Sequence, residues 1–394
     1  MRITIFQQAP DIGGSELYMV NLAGQWVKNG NSVIVFTNYD EFKELFKQIG
    51  AQVRHLPFIL DIMGNTRGLI KTLMLLPFAA VWYWQTLRAL KSKTDVIVTS
   101  GYTEKLVVTV LSAKLKIPIL WLEFPPMEKL LARNLGIPKY IYRKLARVPR
   151  RIIAISKNTR ASLINETEIA QEKIALVYPG AEVPNERERA RAKKEARKWK
   201  KHLGIQGKRV IGNISRVAAE KGQEHLIRAM RLIKKKVPET ALIIIGRGPD
   251  AKKLLTLTKK LGIREDVHFL GFVKDRNAAM AMMDVFVFPA SWELEGFGIV
   301  ITEAMLMRRP IVAAAFGPTL EILENGKTAL LVQPRNPRQL ARAIVRLLED
   351  ARVSDRLAKK AHQTAVSRFD IVEAARKIQM ELQYAVQENE EKIR

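Results

Sequence analysis

The chain has no cysteine, which removes disulfides, thiolate metal ligands and cysteine nucleophiles together. Histidine is scarce as well: of five in 394 residues, only His55 lies in the first half. No two aspartates stand two apart, so the Asp-x-Asp pair that holds a divalent cation is missing, and with no His/Cys cluster no metal site is expected. Acidic residues are outnumbered, 39 against 66 Lys+Arg, and a formal charge of +27 points to anionic partners. No apolar run reaches the roughly 20 residues that a spanning helix needs. The longest uncharged stretch, residues 72–87, has 16. The opening MRITIF is followed by no long apolar signal segment, so a cytoplasmic protein is expected.

What is present is an ordinary globular mixture, 47% hydrophobic and 27% charged. A length of 394 residues exceeds one domain of roughly 100–200 residues, so two cores are expected. Short β-branched runs alternate with helical stretches, the rhythm of parallel α/β sheets. Strands are predicted at 2–6, 32–36, 52–56, 95–99, 117–122, 152–155 and 174–177. A second set follows at 209–214, 241–245, 267–270, 285–288, 311–314 and 330–332. The expected division is a Rossmann-like domain over 1–184, a basic helix over 185–201 and a second Rossmann-like domain over 202–370. A last helix, 371–394, returns to the first domain. Residues 186–201 carry nine Lys/Arg against three Glu, which reads as a solvated helix at the junction. In 72–87, Pro77 is expected to interrupt the helix. Trp82, Tyr83 and Trp84 followed by Arg88, Lys91 and Lys93 have the order of an interfacial anchor, although a buried crossover helix would be equally apolar.

Residues that carry chemistry fall at predicted strand ends, where open α/β sheets bind ligands. Gly13 and Gly14 precede a helix after the first strand, so backbone N–H groups and the helix dipole can face an anion. Arg216 and Lys221 occupy a loop before a helix after the strand at 209–214, a pairing suited to a diphosphate. The segment ELEGFGIVITEAM places Glu295 and Glu303 around Gly296 and Gly298, which open another helix toward phosphate. It follows FVFPASW, a strand running into a loop.

With VYPGAEV at 177–183, IGRGP at 245–249 and FLGFV at 269–273, these motifs make the chain resemble the retaining family 4 glycosyltransferases of the GT-B class. That class includes phosphatidylinositol mannosyltransferases and many bacterial polysaccharide and lipid-linked oligosaccharide enzymes. The resemblance implies an α/β fold of two Rossmann-like domains facing across a cleft, with the acceptor on the first and a nucleotide-sugar donor on the second. Arg216, Lys221 and Glu295 take the catalytic roles, the two cations holding the donor diphosphate and Glu295 contacting the sugar. Gly13, Gly14, Gly246, Phe272, Val273, Gly296, Phe297, Gly298, Ile299, Val300 and Glu303 bind substrate, with Glu303 on the ribose and the 269–273 backbone against the base. The family commonly has a histidine at the end of a first-domain strand. Here ILWLEFPP offers Glu123 at about that place, a candidate on the acceptor side.

The implied reaction is metal-independent transfer with retention from a UDP- or GDP-sugar, without cofactor, to an acceptor hydroxyl. Residues 61–160 hold 18 Lys/Arg against 5 Asp/Glu, which favours an anionic membrane surface and a lipid-linked glycan or glycolipid acceptor. A peripheral enzyme of polysaccharide or glycolipid biosynthesis, on the inner face of the cell membrane, is expected. A soluble-acceptor enzyme of the same fold, resembling glycogen or sucrose synthase, and a sugar-nucleotide epimerase remain alternatives. So does a non-enzymatic basic nucleic-acid-binding or scaffold protein, although no nucleic-acid partner is expected because no binding module accompanies the basic helix.

Overall fold

The computed structural model describes residues 1–8, 13–61, 66–126, 137–290 and 295–393. Asp11 and Ile12 before the glycine pair, and Ser291 and Trp292 at the end of FVFPASW, lie outside them. Two compact units form, one from Met1–Gly180, Leu294–Phe297 and Ile371–Arg394, the other from Ala181–Glu293 and Gly298–Asp370.

The first unit contains β1 (Arg2–Phe6), β2 (Ser32–Thr37), β3 (Gln52–His55), β4 (Val96–Thr99), β5 (Ile119–Glu123), β6 (Arg151–Ala154) and β7 (Ile174–Leu176). They lie in the order β3-β2-β1-β4-β5-β6-β7, every pair parallel. β4 and β5 are buried at every position, as strands of a sheet covered on both faces must be. Phe6, Phe36, Ile97, Trp121 and Tyr142 share one core layer. The helix Ile371–Ile393 closes this unit: Trp26 Nε1 donates to Ala375 O (3.3 Å), and Arg151 pairs with Glu381 at 3.0 Å.

Thr66–Leu90 is one continuous helix of 25 residues that runs through Pro77, contrary to the interruption expected above. Pro77 has no N–H to give the Leu73 carbonyl, but both residues lie on the solvent side, where water can take the freed acceptor. Thr72, Ala79, Tyr83 and Leu87 occupy the opposite, buried face. Among the described residues no helix is long and apolar enough to cross a membrane.

The second unit contains β8 (Arg209–Ile214), β9 (Thr240–Ile245), β10 (Val267–Phe269), β11 (Val285–Phe288), β12 (Ile311–Ala314) and β13 (Leu330–Val332). Their order is β10-β9-β8-β11-β12-β13, again all parallel. The basic helix Glu186–His202 is part of this unit and not a separate linker, and the division falls at Gly180, ahead of the expected 184. Asn185 caps the helix (Glu188 N–H to Oδ1, 3.0 Å), and Ala192 and Ala196 bury its small-residue face, so the cations point outward. It packs on the helix Arg276–Met282. In each sheet the strand order reverses at one place, between β1 and β4 and between β8 and β11. The crevice outside the strand ends at such a point is where open α/β sheets bind ligands.

Candidate active site

In the second unit the loops after β8, β9, β10 and β11 meet at one sheet edge. Ser215 N–H donates to Ile245 O (3.0 Å), Val217 N–H to Arg247 O (2.8 Å) and Gly246 N–H to Gly271 O (2.7 Å), so three loops are stitched together. The approach is close enough to require glycine. A Cβ on Gly246 would stand 2.0 Å from Ser215 O, and one on Gly222 2.1 Å from Pro289 O. Gly222 also has φ +70, in the left-handed region.

Arg216 leads this loop with its guanidinium paired to Glu220 and still 54% exposed. Lys221 ends the short turn Ala219–Lys221, one residue before Gly222 and the helix Gln223–Lys234. The almost fully buried Gln223 braces the loop through Nε2, which donates to Ser215 Oγ (2.7 Å) and Arg216 O (2.8 Å). Asn213 completes the brace by accepting from Ser215 Oγ (3.0 Å) and donating to Val287 O (3.0 Å). No side chain caps the helix Gln223–Lys234, which leaves the positive end of its dipole beside the two cations. Gly246, Phe272 and Val273 follow β9 and β10, with the Phe272 ring 6.0 Å from the Arg247 guanidinium.

Beyond β11, Gly298 at φ +90 precedes the helix Ile299–Leu306, whose start is likewise uncapped by any side chain. Ile299 and Val300 form its first turn, and Glu303 follows one turn later. Glu303 Oε2 stands 2.5 Å from Arg276 Nη2, an ion pair that fixes the carboxylate. Burial raises the Glu303 pKa above the usual carboxylate range, and Arg276 opposes that rise. Arg276, Glu220 and Gln223 were not among the sequence-based candidates.

Glu295, Gly296 and Phe297 group with the first unit. A Cβ on Gly296 would stand 1.9 Å from Phe124 O, and the Phe297 ring meets Tyr178 at 5.7 Å. Gly296 is therefore a close-approach glycine, and Gly298 alone opens the helix, which corrects the reading that assigned both to the helix start. At the β1/β4 reversal, Gly13 N–H donates to Glu16 Oε2 (3.0 Å), which also accepts from Ser15 Oγ (2.8 Å). The helix Gly14–Lys28 so presents its own carboxylate to an amide expected to face an anion. Gly13 and Gly14 themselves are exposed.

Across the same reversal, Glu104 is buried near the start of the helix Tyr102–Leu115 and accepts from Gln8 N–H. Burial pushes its pKa up to about 7. The Gln8 N–H, its own amide and Lys105 pull the other way, and the Glu16 charge adds to the rise. Glu123, at the end of β5, is an enclosed group: Lys105 Nζ lies 2.6 Å from its Oε1, and Tyr142 OH donates to it. Lys105 also donates to Leu122 O (3.2 Å), and its own pKa is lowered by burial, against the pull of Glu123. The one signal for this cluster was Glu104-Lys105 set inside the apolar run YTEKLVVTVL.

Two family models match, Glycosyltransferase Family 4 over residues 12–183 and Glycosyl transferases group 1 over 195–364, together taking in most of the chain. The chain is 25% identical over 238 residues to alpha-D-kanosaminyltransferase of Streptomyces kanamyceticus, a match covering 60% of each. It is 34% identical over 162 residues to the GDP-mannose-dependent alpha-(1-6)-phosphatidylinositol monomannoside mannosyltransferase of Mycolicibacterium smegmatis, covering 39% of this chain and 42% of that one. The chain spans about half the length of the curated relatives it matches. Anabaena HepE, solved in complex with UDP and glucose, superposes with a TM-score of 0.82 at 25% identity, over 97% of this chain and 99% of that one. With two all-parallel sheets, glycine-stitched strand-end loops in the second, and both halves matched, the chain belongs to the family 4 glycosyltransferases of GT-B fold.

Proposed function

We propose that the protein transfers a sugar, with retention and without a metal ion, from a nucleotide-diphosphate sugar to the hydroxyl of a lipid-linked glycan or glycolipid. The observation that carries this reading is the convergence, at the β8/β11 reversal, of Arg216, Lys221 and the uncapped helix starts at Gly222 and Gly298. Fixed positive charge of this kind stabilises a departing diphosphate. Glu303, one turn into its helix and held in place by Arg276, suits a ribose hydroxyl. Gly246, Phe272 and Val273 offer backbone and ring surface to a base, and Glu295 is assigned to the sugar.

In the step itself the bond from the anomeric carbon to the diphosphate oxygen breaks, and the acceptor oxygen bonds that carbon from the same face. The acceptor proton passes to the leaving diphosphate oxygen. Arg216 and Lys221 do the work that a bound cation does elsewhere. The mannosyltransferase relative is GDP-mannose-dependent and a HepE crystal structure holds UDP-glucose, which supports a UDP- or GDP-sugar as the donor class. The basic excess of residues 61–160 supports an acceptor on the cytoplasmic face of an anionic membrane.

The test is transfer from UDP- and GDP-sugars in excess EDTA, with thermal unfolding read for each nucleotide. Activity is expected to persist in the chelator, and Arg216→Ala and Lys221→Ala each to lose on the order of a hundredfold at unchanged melting temperature. Metal-reversible loss in EDTA, or near-normal turnover in either variant, refutes the assignment.

A further inference from the structure

We propose that the outward face of the helix Thr66–Leu90 inserts into the interface of an anionic lipid bilayer, with the helix lying in the membrane plane. The proposal rests on the lipid-linked-acceptor reading and adds to it the face and the lipid chemistry. Exposure along this helix is periodic. Ile70, Leu73, Met74, Phe78 and Val81 are 53%, 59%, 71%, 68% and 58% exposed, while Thr72, Ala79, Tyr83 and Leu87 are buried in the core on the opposite side. The exposed set follows the i, i+3, i+4 spacing of one helix face and runs for about 16 Å along the axis. Pro77 lies within it. A contiguous apolar stripe on a chain so rich in charge marks a surface that meets another phase or partner.

The charges around the stripe select the occupant. From residue 66 to 93 there are five Lys/Arg and no Asp or Glu. Arg88 stands five turns from Ile70, on the same face, and Lys71, Lys91 and Lys93 are exposed beside it or just beyond. Among the described residues none of these four cations has a carboxylate partner, whereas some exposed cations elsewhere do, as in Lys47–Glu44 and Arg376–Glu373. Unneutralised cations around apolar side chains match headgroup phosphates above acyl chains. They disfavour a second copy of this chain, because joining two such faces would bring like charges together. Trp82 and Trp84, which the sequence offered as anchors, are half-buried against the core. Insertion therefore falls to Leu73, Met74 and Phe78.

The absence of cysteine makes the test clean. The full-length chain, its Leu73→Glu/Phe78→Glu variant and its Lys71→Glu/Arg88→Glu/Lys91→Glu variant are sedimented with vesicles of phosphatidylcholine alone or mixed with phosphatidylglycerol. An environment-sensitive dye is placed on Phe78→Cys and, as a control, on the exposed Lys252→Cys. The expected result is binding to phosphatidylglycerol vesicles that falls at least tenfold in both multiple variants, with unchanged melting temperature. The dye should shift to the blue at 78 and not at 252. Undiminished binding by Leu73→Glu/Phe78→Glu overturns the assignment of this face. Failure of the parent chain to bind either vesicle overturns the assignment together with the lipid-linked reading. A dimer that Leu73→Glu/Phe78→Glu dissolves, with no vesicle binding, assigns the stripe to a second copy and also overturns it. Stabilisation by UDP or GDP, measured in the same samples, reports the transferase site separately.

Discussion

Replacing Glu104 with glutamine should make the protein more stable at alkaline pH and leave it little changed at acid pH. In the unfolded chain this carboxyl titrates near 4.5, and in the folded chain burial holds it up to about 7. Because the folded pKa is the higher one, the favourable state is protonated and buried. Its contribution is whole below the unfolded pKa and is lost as pH rises through the folded one. A separation of about 2.5 units, at about 1.4 kcal/mol each, makes the ionised carboxylate cost the fold about 3 kcal/mol at pH 8. The side chain is 2% exposed, so solvent screening does little to reduce that figure. Glu104→Gln keeps an oxygen for the Gln8 N–H and removes the charge. For a unit of this size about 3 kcal/mol corresponds to roughly 6–12 °C in melting temperature. Thermal unfolding of both proteins from pH 5 to 8.5 should therefore show curves that separate as pH rises, with the variant above. Histidines and other carboxylates titrate alike in both and cancel in the difference. Parallel curves, or a variant that loses ground with rising pH, would refute the account of Glu104 as a buried group that resists ionisation.

Three further outcomes follow from the same geometry. Gly222→Ala sets a Cβ 2.1 Å from Pro289 O at a φ of +70 and should both lower the melting temperature and weaken nucleotide binding at least tenfold, since the Arg216–Lys221 loop must move; nucleotide titrations at wild-type affinity would show that the loop is not the binding element. Lys105→Met leaves Glu123 buried without its counter-charge and should cost roughly 3–5 kcal/mol, most of it recovered in Lys105→Met/Glu123→Leu; denaturant unfolding that finds the single variant as stable as the parent excludes the buried pair. Arg276→Ala removes the one charge that lowers the Glu303 pKa, so the pH at which nucleotide affinity is half-lost should move upward; an unmoved profile separates Arg276 from Glu303.

Most strands were legible because strands buried on both faces are largely apolar, and Arg209–Ile214, Val285–Phe288 and Ile311–Ala314 stand where their β-branched runs indicate. The loop–helix elements were legible for a related reason. A glycine before a helix, or a cation in the preceding turn, expresses a constraint that acts within a few residues. The misreadings share the opposite property. Gly296 and Gly298 look like one motif, yet the first is demanded by Phe124 O, far away in the chain, and only the second by the helix start. Glu123 looks like a replaced site residue until Lys105 and Tyr142, each close to twenty residues away, are brought onto it. In the helix Thr66–Leu90 the letters are apolar all round, so no moment in the sequence distinguishes the two faces. The sheet decides by taking Ala79, Tyr83 and Leu87 and half-covering Trp82 and Trp84, which leaves Leu73, Met74 and Phe78 outside. A surface of this kind is created by what the core consumes, and that is why it became visible only once the fold was known.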